Sequence, residues 1–88
     1  MKHRNKNVLI IGYGSIGQRH EKVLSNMGVN VYVYSRRKLE KKFIINNLEE
    51  ILKKISFNYI IVANRTSEHY ETLINLKNLN YKGVILIE

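Results

Sequence analysis

The 88-residue chain carries 15 Lys and Arg against 7 Asp and Glu, a formal charge of +8, with no cysteine and no proline. Its length allows one small domain with a modest core. The lack of cysteine excludes a disulfide framework and thiolate zinc sites, and no apolar run approaches the ~20 residues of a membrane-spanning helix.

Met1-Lys2-His3-Arg4 has the charge of a signal-peptide opening. The apolar run behind it is only one strand long and ends in glycine, which argues against export and for a cytoplasmic location. Residues 1–6 are read as a frayed basic lead-in. Val8 to Ile11 is apolar on both faces, as a central parallel strand requires. Gly12-Tyr13-Gly14-Ser15-Ile16-Gly17 follows it, and Ile16, His20, Val23, Leu24 and Met27 then recur at helical spacing, with Gly28 as the stop. That stripe is expected to be buried, His20 with it, as a packed core histidine. Val31-Tyr32-Val33-Tyr34 is β-branched and aromatic, a second strand that completes a βαβ unit of about 30 residues.

Ser35 to Lys42 is a polar, basic connection, and Phe43-Ile44-Ile45 is a short edge strand. Asn47-Leu48-Glu49-Glu50 opens a helix with an Asn cap, whose apolar face is Leu48, Ile51, Leu52 and Ile55. Tyr59 to Ala63 is a fourth strand. Asn64-Arg65-Thr66-Ser67 supplies a cap for a last helix, with Glu68 and Glu71 in its first turn and Tyr70, Leu73, Ile74 and Lys77 along one side. Val84 to Ile87 is a fifth strand, and with no sixth it offers an open apolar edge suited to self-association. Strands alternating with helices predict one α/β domain over residues 1–88. It would be a Rossmann-like parallel sheet of order 3-2-1-4-5 with helices on both faces, incomplete at the C-terminal edge.

The glycine spacing is G-x-G-x-x-G, between a strand and a helix, which is the context of a dinucleotide site. Gly12 permits the tight turn, Gly14 lets a diphosphate approach the backbone, and Gly17 lets the helix pack on the strand. Ser15, Ile16 and Gly17 offer N–H groups at a helix N-terminus. About 20 residues past the motif an acidic residue holds the ribose of NAD, whereas arginine suits the 2′-phosphate of NADP. This chain has Ser35-Arg36-Arg37 there and no acid before Glu40, which favours NADP over NAD. Ala63, Asn64 and Arg65 are expected on the adenosine or diphosphate side. The histidines at positions 3, 20 and 69 share no metal-ligand spacing. Apart from Arg36-Arg37-Lys38 and Lys41-Lys42 the cations are scattered, in a chain also rich in Asn and Ile. Compositional bias therefore explains the charge better than a nucleic-acid surface does.

Three stretches resemble the Gfo/Idh/MocA oxidoreductases, named for glucose–fructose oxidoreductase and inositol dehydrogenase. Gly12 to His20 is similar to the family's glycine turn with a histidine three residues beyond it. Val62-Ala63-Asn64-Arg65-Thr66-Ser67-Glu68-His69 is similar to its Ala-Thr/Asn-Pro-Thr-x-x-His signature, with Arg65 in place of proline. Val84 to Glu88 is similar to the approach to its Glu-Lys-Pro motif. The resemblance implies an NAD(P)-binding domain of a sugar- or polyol-type oxidoreductase, with His69 on the nicotinamide side and Glu88 near the nicotinamide ribose. In that family the catalytic residues lie in a second, C-terminal domain, so this chain would bind cofactor without turning over substrate. The alternatives are a stand-alone nucleotide-sensing module and, less favoured, a basic nucleic-acid-binding protein.

Overall fold

The computed structural model describes residues 6–35, 44–45 and 47–88. The elements run β1 (Asn7–Ile11), α1 (Ser15–Asn26), β2 (Asn30–Tyr34), β3 (Ile44–Ile45), α2 (Leu48–Lys54), β4 (Tyr59–Val62), α3 (Thr66–Asn78) and β5 (Val84–Ile87). The sheet is entirely parallel, in the order β3-β2-β1-β4-β5. The architecture is thus the Rossmann-like α/β fold that the alternation of strands and helices predicts. The basic stretch from Arg36 to Lys42 lies outside the described residues, as do residues 1–5.

β1 is central because it can be buried from both sides. Leu9 and Ile11 face one way, onto Phe57, Ile60, Val62 and Leu76, where α2 and α3 pack. Val8 and Ile10 face the other way, onto Val29, Val33 and Ile61, where Leu24 of α1 packs. Each such aliphatic side chain taken out of water contributes about 1.5–3 kcal/mol.

Local signals place the helix ends. Asn47 accepts a hydrogen bond from the Glu50 N–H at 3.0 Å, the expected cap of α2. Glu49 and Glu50 lie four residues before Lys53 and Lys54 and pair with them at 3.4 and 2.7 Å. The hydrogen bond from Lys54, and then its charge, hold the Glu50 carboxyl below its ordinary pKa. At the end of α1, Gly28 takes φ +84°, its N–H reaches Ser25 O, and the Val29 N–H reaches Leu24 O. This paired closure needs a left-handed residue just past the cap, which glycine supplies without strain. Asn80, at φ +61°, performs the same turn after α3.

Three expectations change. The stripe Ile16, Val23 and Met27 is exposed, and Gly17 is the buried residue of α1. His20 is half-buried and pairs with Glu88 at 2.9 Å instead of packing in the core. These residues lie on a side of α1 that is turned away from the sheet, while Leu24 and Gly17 face it. In α3, Tyr70 is 78 % exposed and Leu76 is fully buried, so the side that carries Tyr70 faces solvent and Leu76 faces the sheet. That helix begins at Thr66, with Arg65 at the cap position and no side-chain cap, so Thr66 and Ser67 lie inside it and Glu71 falls beyond the first turn.

Candidate dinucleotide-binding site

The strand ladder continues one residue past the sheet at its C-terminal edge. The Gly12 N–H donates to Tyr34 O, the Ala63 N–H to Ile11 O and the Glu88 N–H to Val62 O, at 2.8, 2.8 and 3.0 Å. The residues that follow four of the strands therefore meet along one rim: Gly12 after β1, Ser35 after β2, Ala63 after β4 and Glu88 after β5. In a doubly wound sheet this rim, where the strand order reverses between β1 and β4, is where ligands bind.

The three glycines do different work. Gly12 sits at φ +99°, and a Cβ there would lie 2.7 Å from the Asn64 backbone nitrogen. A Cβ on Gly17 would lie 2.5 Å from Gly12 O. Both positions are closed by backbone. A Cβ on Gly14 would meet nothing within 4 Å. The middle glycine therefore faces open space, where a diphosphate could approach the chain.

Gly14 is also the N-cap of α1. No side chain caps this end, and no acid stands in the first turn. The first helical bond is Gln18 N–H to Gly14 O, so the N–H groups of Ser15, Ile16 and Gly17 have no partner within the helix. With the helix dipole they form a seat for an anion. Tyr13 turns inward: its ring is buried on the α1 side and its hydroxyl donates to the Glu21 carboxylate.

A cleft of about 420 Å³ opens beside the turn. Of the residues singled out from sequence, Gly12, Tyr13, Gly14, Ser35, Ala63, Asn64 and Arg65 line it. Ser15, Ile16 and Gly17 form the adjoining first turn of α1. His69 points its Nε2 at the Asn64 carbonyl, 3.0 Å away, and does not line the cleft. A carbonyl can only accept, so Nε2 is the donor in this hydrogen bond. Glu88 is held by His20. Arg36 and Arg37 lie outside the described residues.

Sequence reasoning missed the far wall of the cleft. Leu48 at the start of α2 and Glu68, Glu71, Thr72 and Asn75 on α3 line it. The signal was present as a polar stripe at spacings of three and four, turned towards the sheet rim. Among the described residues no group of His, Asp and Glu could hold a metal ion, and no helix is long and apolar enough to cross a membrane.

A glycine turn open only at its middle residue, an uncapped helix start and a cleft at the strand-order reversal define a Rossmann domain of the NAD-binding class. Residues 1–88 match the NAD-binding domain of the D-isomer specific 2-hydroxyacid dehydrogenases, and the chain belongs to that family. It is 30 % identical over 82 residues to the uncharacterized protein MJ0636 of Methanocaldococcus jannaschii, covering 93 % of this chain and 20 % of that protein. The crystal structure of RSP, a Rex-family repressor, has the same fold, with a TM-score of 0.75 at 16 % identity over 97 % of this chain and 52 % of that one. The chain thus spans about a fifth and about half of these two proteins. The family match supports an NAD-binding Rossmann domain and does not single out the Gfo/Idh/MocA oxidoreductases.

Proposed function

We propose that the chain is the NAD(P)-binding domain of a dehydrogenase-type oxidoreductase, holding and orienting the cofactor while groups elsewhere in the whole protein act on the substrate. The observation that carries this is the open side of Gly14 over the uncapped N-terminus of α1. The nicotinamide would supply hydride transfer, and the protein position and electrostatics. The family match points to the alcohol carbon of a 2-hydroxy acid, and the motif resemblance to that of a sugar or polyol. Titration with NADH, followed by its fluorescence, tests the reading. Gly14 has ordinary φ and room for a side chain, so Gly14→Val should still fold, at a cost of about 1 kcal/mol for an unfavourable N-cap residue, and bind NADH at least ~10-fold more weakly. Equal affinity would overturn the assignment.

Within this reading the chain prefers NADP. Ser35 lines the cleft at the end of β2, where an NAD-selective site places a carboxylate, and Arg36-Arg37 follow it in sequence. NADPH should bind more tightly than NADH, and equal binding would sink the preference. A nucleotide-sensing module that self-associates is the second reading. It is favoured by the exposed Ile16, Val23 and Met27 of α1 together with Val84 and Leu86 of the edge strand. A nucleotide-dependent change in mass by light scattering would support it, and a monomer throughout would count against it.

A further inference from the structure

We infer that Tyr13 is a positioning residue of the anion seat: its hydroxyl on Glu21 fixes the glycine turn from behind, so that the turn is set for a phosphate before one arrives. The inference rests on the dinucleotide reading and adds to it a residue that acts without touching the ligand. The turn needs such a residue. Tyr13 stands between two glycines, which adopt left- and right-handed backbone about equally well. Gly12 is held by its N–H on Tyr34 O and by the Asn64 backbone beside it, and Gly14 O is held by the Gln18 N–H. Between these two points the peptide planes are set by Tyr13, and a Cβ on Gly14 would meet nothing that could steady them.

Tyr13 is anchored at three points. Its ring is 5 % exposed and packs in the core of the Val8 face, the residue of that buried cluster that comes from the glycine turn. Its hydroxyl donates to the carboxylate of Glu21, in the second turn of α1. Its main-chain oxygen accepts from the Gln18 side-chain amide at 3.4 Å. Two of the three anchors are on α1, the helix whose first N–H groups form the seat. Filling the core does not call for a hydroxyl, since burying one is unfavourable unless it is bonded, and phenylalanine would fill the same space. Bonded to a carboxylate, the hydroxyl makes a charge-assisted tie between the turn and the helix. A turn held in the receiving conformation binds with its full intrinsic affinity, whereas one that visits it for part of the time binds more weakly by that fraction.

Calorimetric titration of the full chain with ADP tests this in a double-mutant cycle. Tyr13→Phe keeps the ring and should bind ADP about 5- to 10-fold more weakly. Glu21→Leu should weaken binding to a similar extent, and the double variant should be no weaker than either single one, because both remove the same tie. Glu21→Gln still offers an acceptor and should stay close to wild type. A hydroxyl that served stability alone would lower the melting temperature and leave the ADP affinity of the folded protein where it was. The ligand-free protein gives a second readout by NMR. The amide signals of Gly14 and Ser15 should be sharp in wild type, broadened by exchange in Tyr13→Phe, and sharp again once ADP is added. Unchanged ADP affinity in Tyr13→Phe, additive losses in the double variant, or Gly14 and Ser15 signals that do not respond to the substitution would overturn the inference and leave the dinucleotide reading standing. A wild type that binds neither ADP nor NADH would overturn both.

Discussion

The Leu9 face of the sheet is covered by α2 and α3, whereas among the described helices the Val8 face carries α1 alone. On the first face the core reaches from Tyr32 and Phe57, packed edge to face at 5.5 Å, across to Ile85 on the edge strand. On the second it stops at Ile61. Tyr59, Val84 and Leu86, which continue that face towards the edge, are 40–50 % exposed. The outer stripe of α1 is bare on the same side. The glycine turn is built on this thinner face, where Gly17 lets α1 sit directly on Gly12. The site therefore depends on one close backbone contact more than on a thick core.

Substitutions should separate the two faces. Leu9→Ala, in the fully buried core under α2 and α3, should cost about 2–5 kcal/mol in denaturant unfolding, enough to unfold much of so small a domain. Gly17→Ala forces a methyl against Gly12 O and should cost about 1–3 kcal/mol, with loss of NADH binding beyond what unfolding explains. If Gly17→Ala were neutral, the close approach of α1 would not be what shapes the turn. Leu86→Lys with Val23→Lys, on the bare side, should change stability by no more than ~0.5 kcal/mol. The pair should instead lower any concentration-dependent mass seen by light scattering. A large stability loss would mean that this side is covered after all.

The smallest effect is expected at Tyr81, which packs on the Leu9 face with its hydroxyl 3.3 Å from both Phe57 O and Val84 O. Burial raises its pKa above the ordinary 10.0, so the folded state favours the neutral hydroxyl. The unfolded chain ionises first as pH rises. This contribution is complete below the ordinary value and is lost as pH climbs through the raised one. Tyr81→Phe should remove that alkaline slope in thermal unfolding and leave the neutral-pH curve nearly unchanged.

Much of the fold was legible because burial on both faces leaves apolar runs that sequence shows directly. Val8–Ile11, Val31–Tyr34 and Tyr59–Val62 are such runs, and Asn47 and Gly28 mark helix ends by their own chemistry. The inward side of α1 was not legible. Its apolar stripe is real, but closeness to the sheet is set by the smallest side chain, Gly17, which a count of hydrophobic residues passes over. In α3 apolar residues lie on more than one side, so periodicity could not choose Leu76 over Tyr70. The glycine half of the site was readable from spacing, because close approach demands glycine at fixed offsets. The α3 wall was not, since Thr72 and Asn75 acquire meaning only once the helix is laid beside the rim.

The position of β1 in the middle of the sheet also bears on the order in which the chain can assemble. Its partners arrive at different times. Asn7 pairs with Asn30, 23 residues on, but on the other side of β1 the first strand pairing is Val8 with Tyr59, 51 residues away. A chain growing from its N-terminus can close the β1-α1-β2 unit, glycine turn included, while the second edge of β1 still has no strand beside it. That edge is apolar and unpaired until Tyr59–Val62 has been made, and parallel pairings across such spans form slowly. The nucleotide cradle can thus be shaped before the sheet that supports it is finished, and the interval between the two is when a nascent chain of this kind is most exposed to pairing with a neighbour.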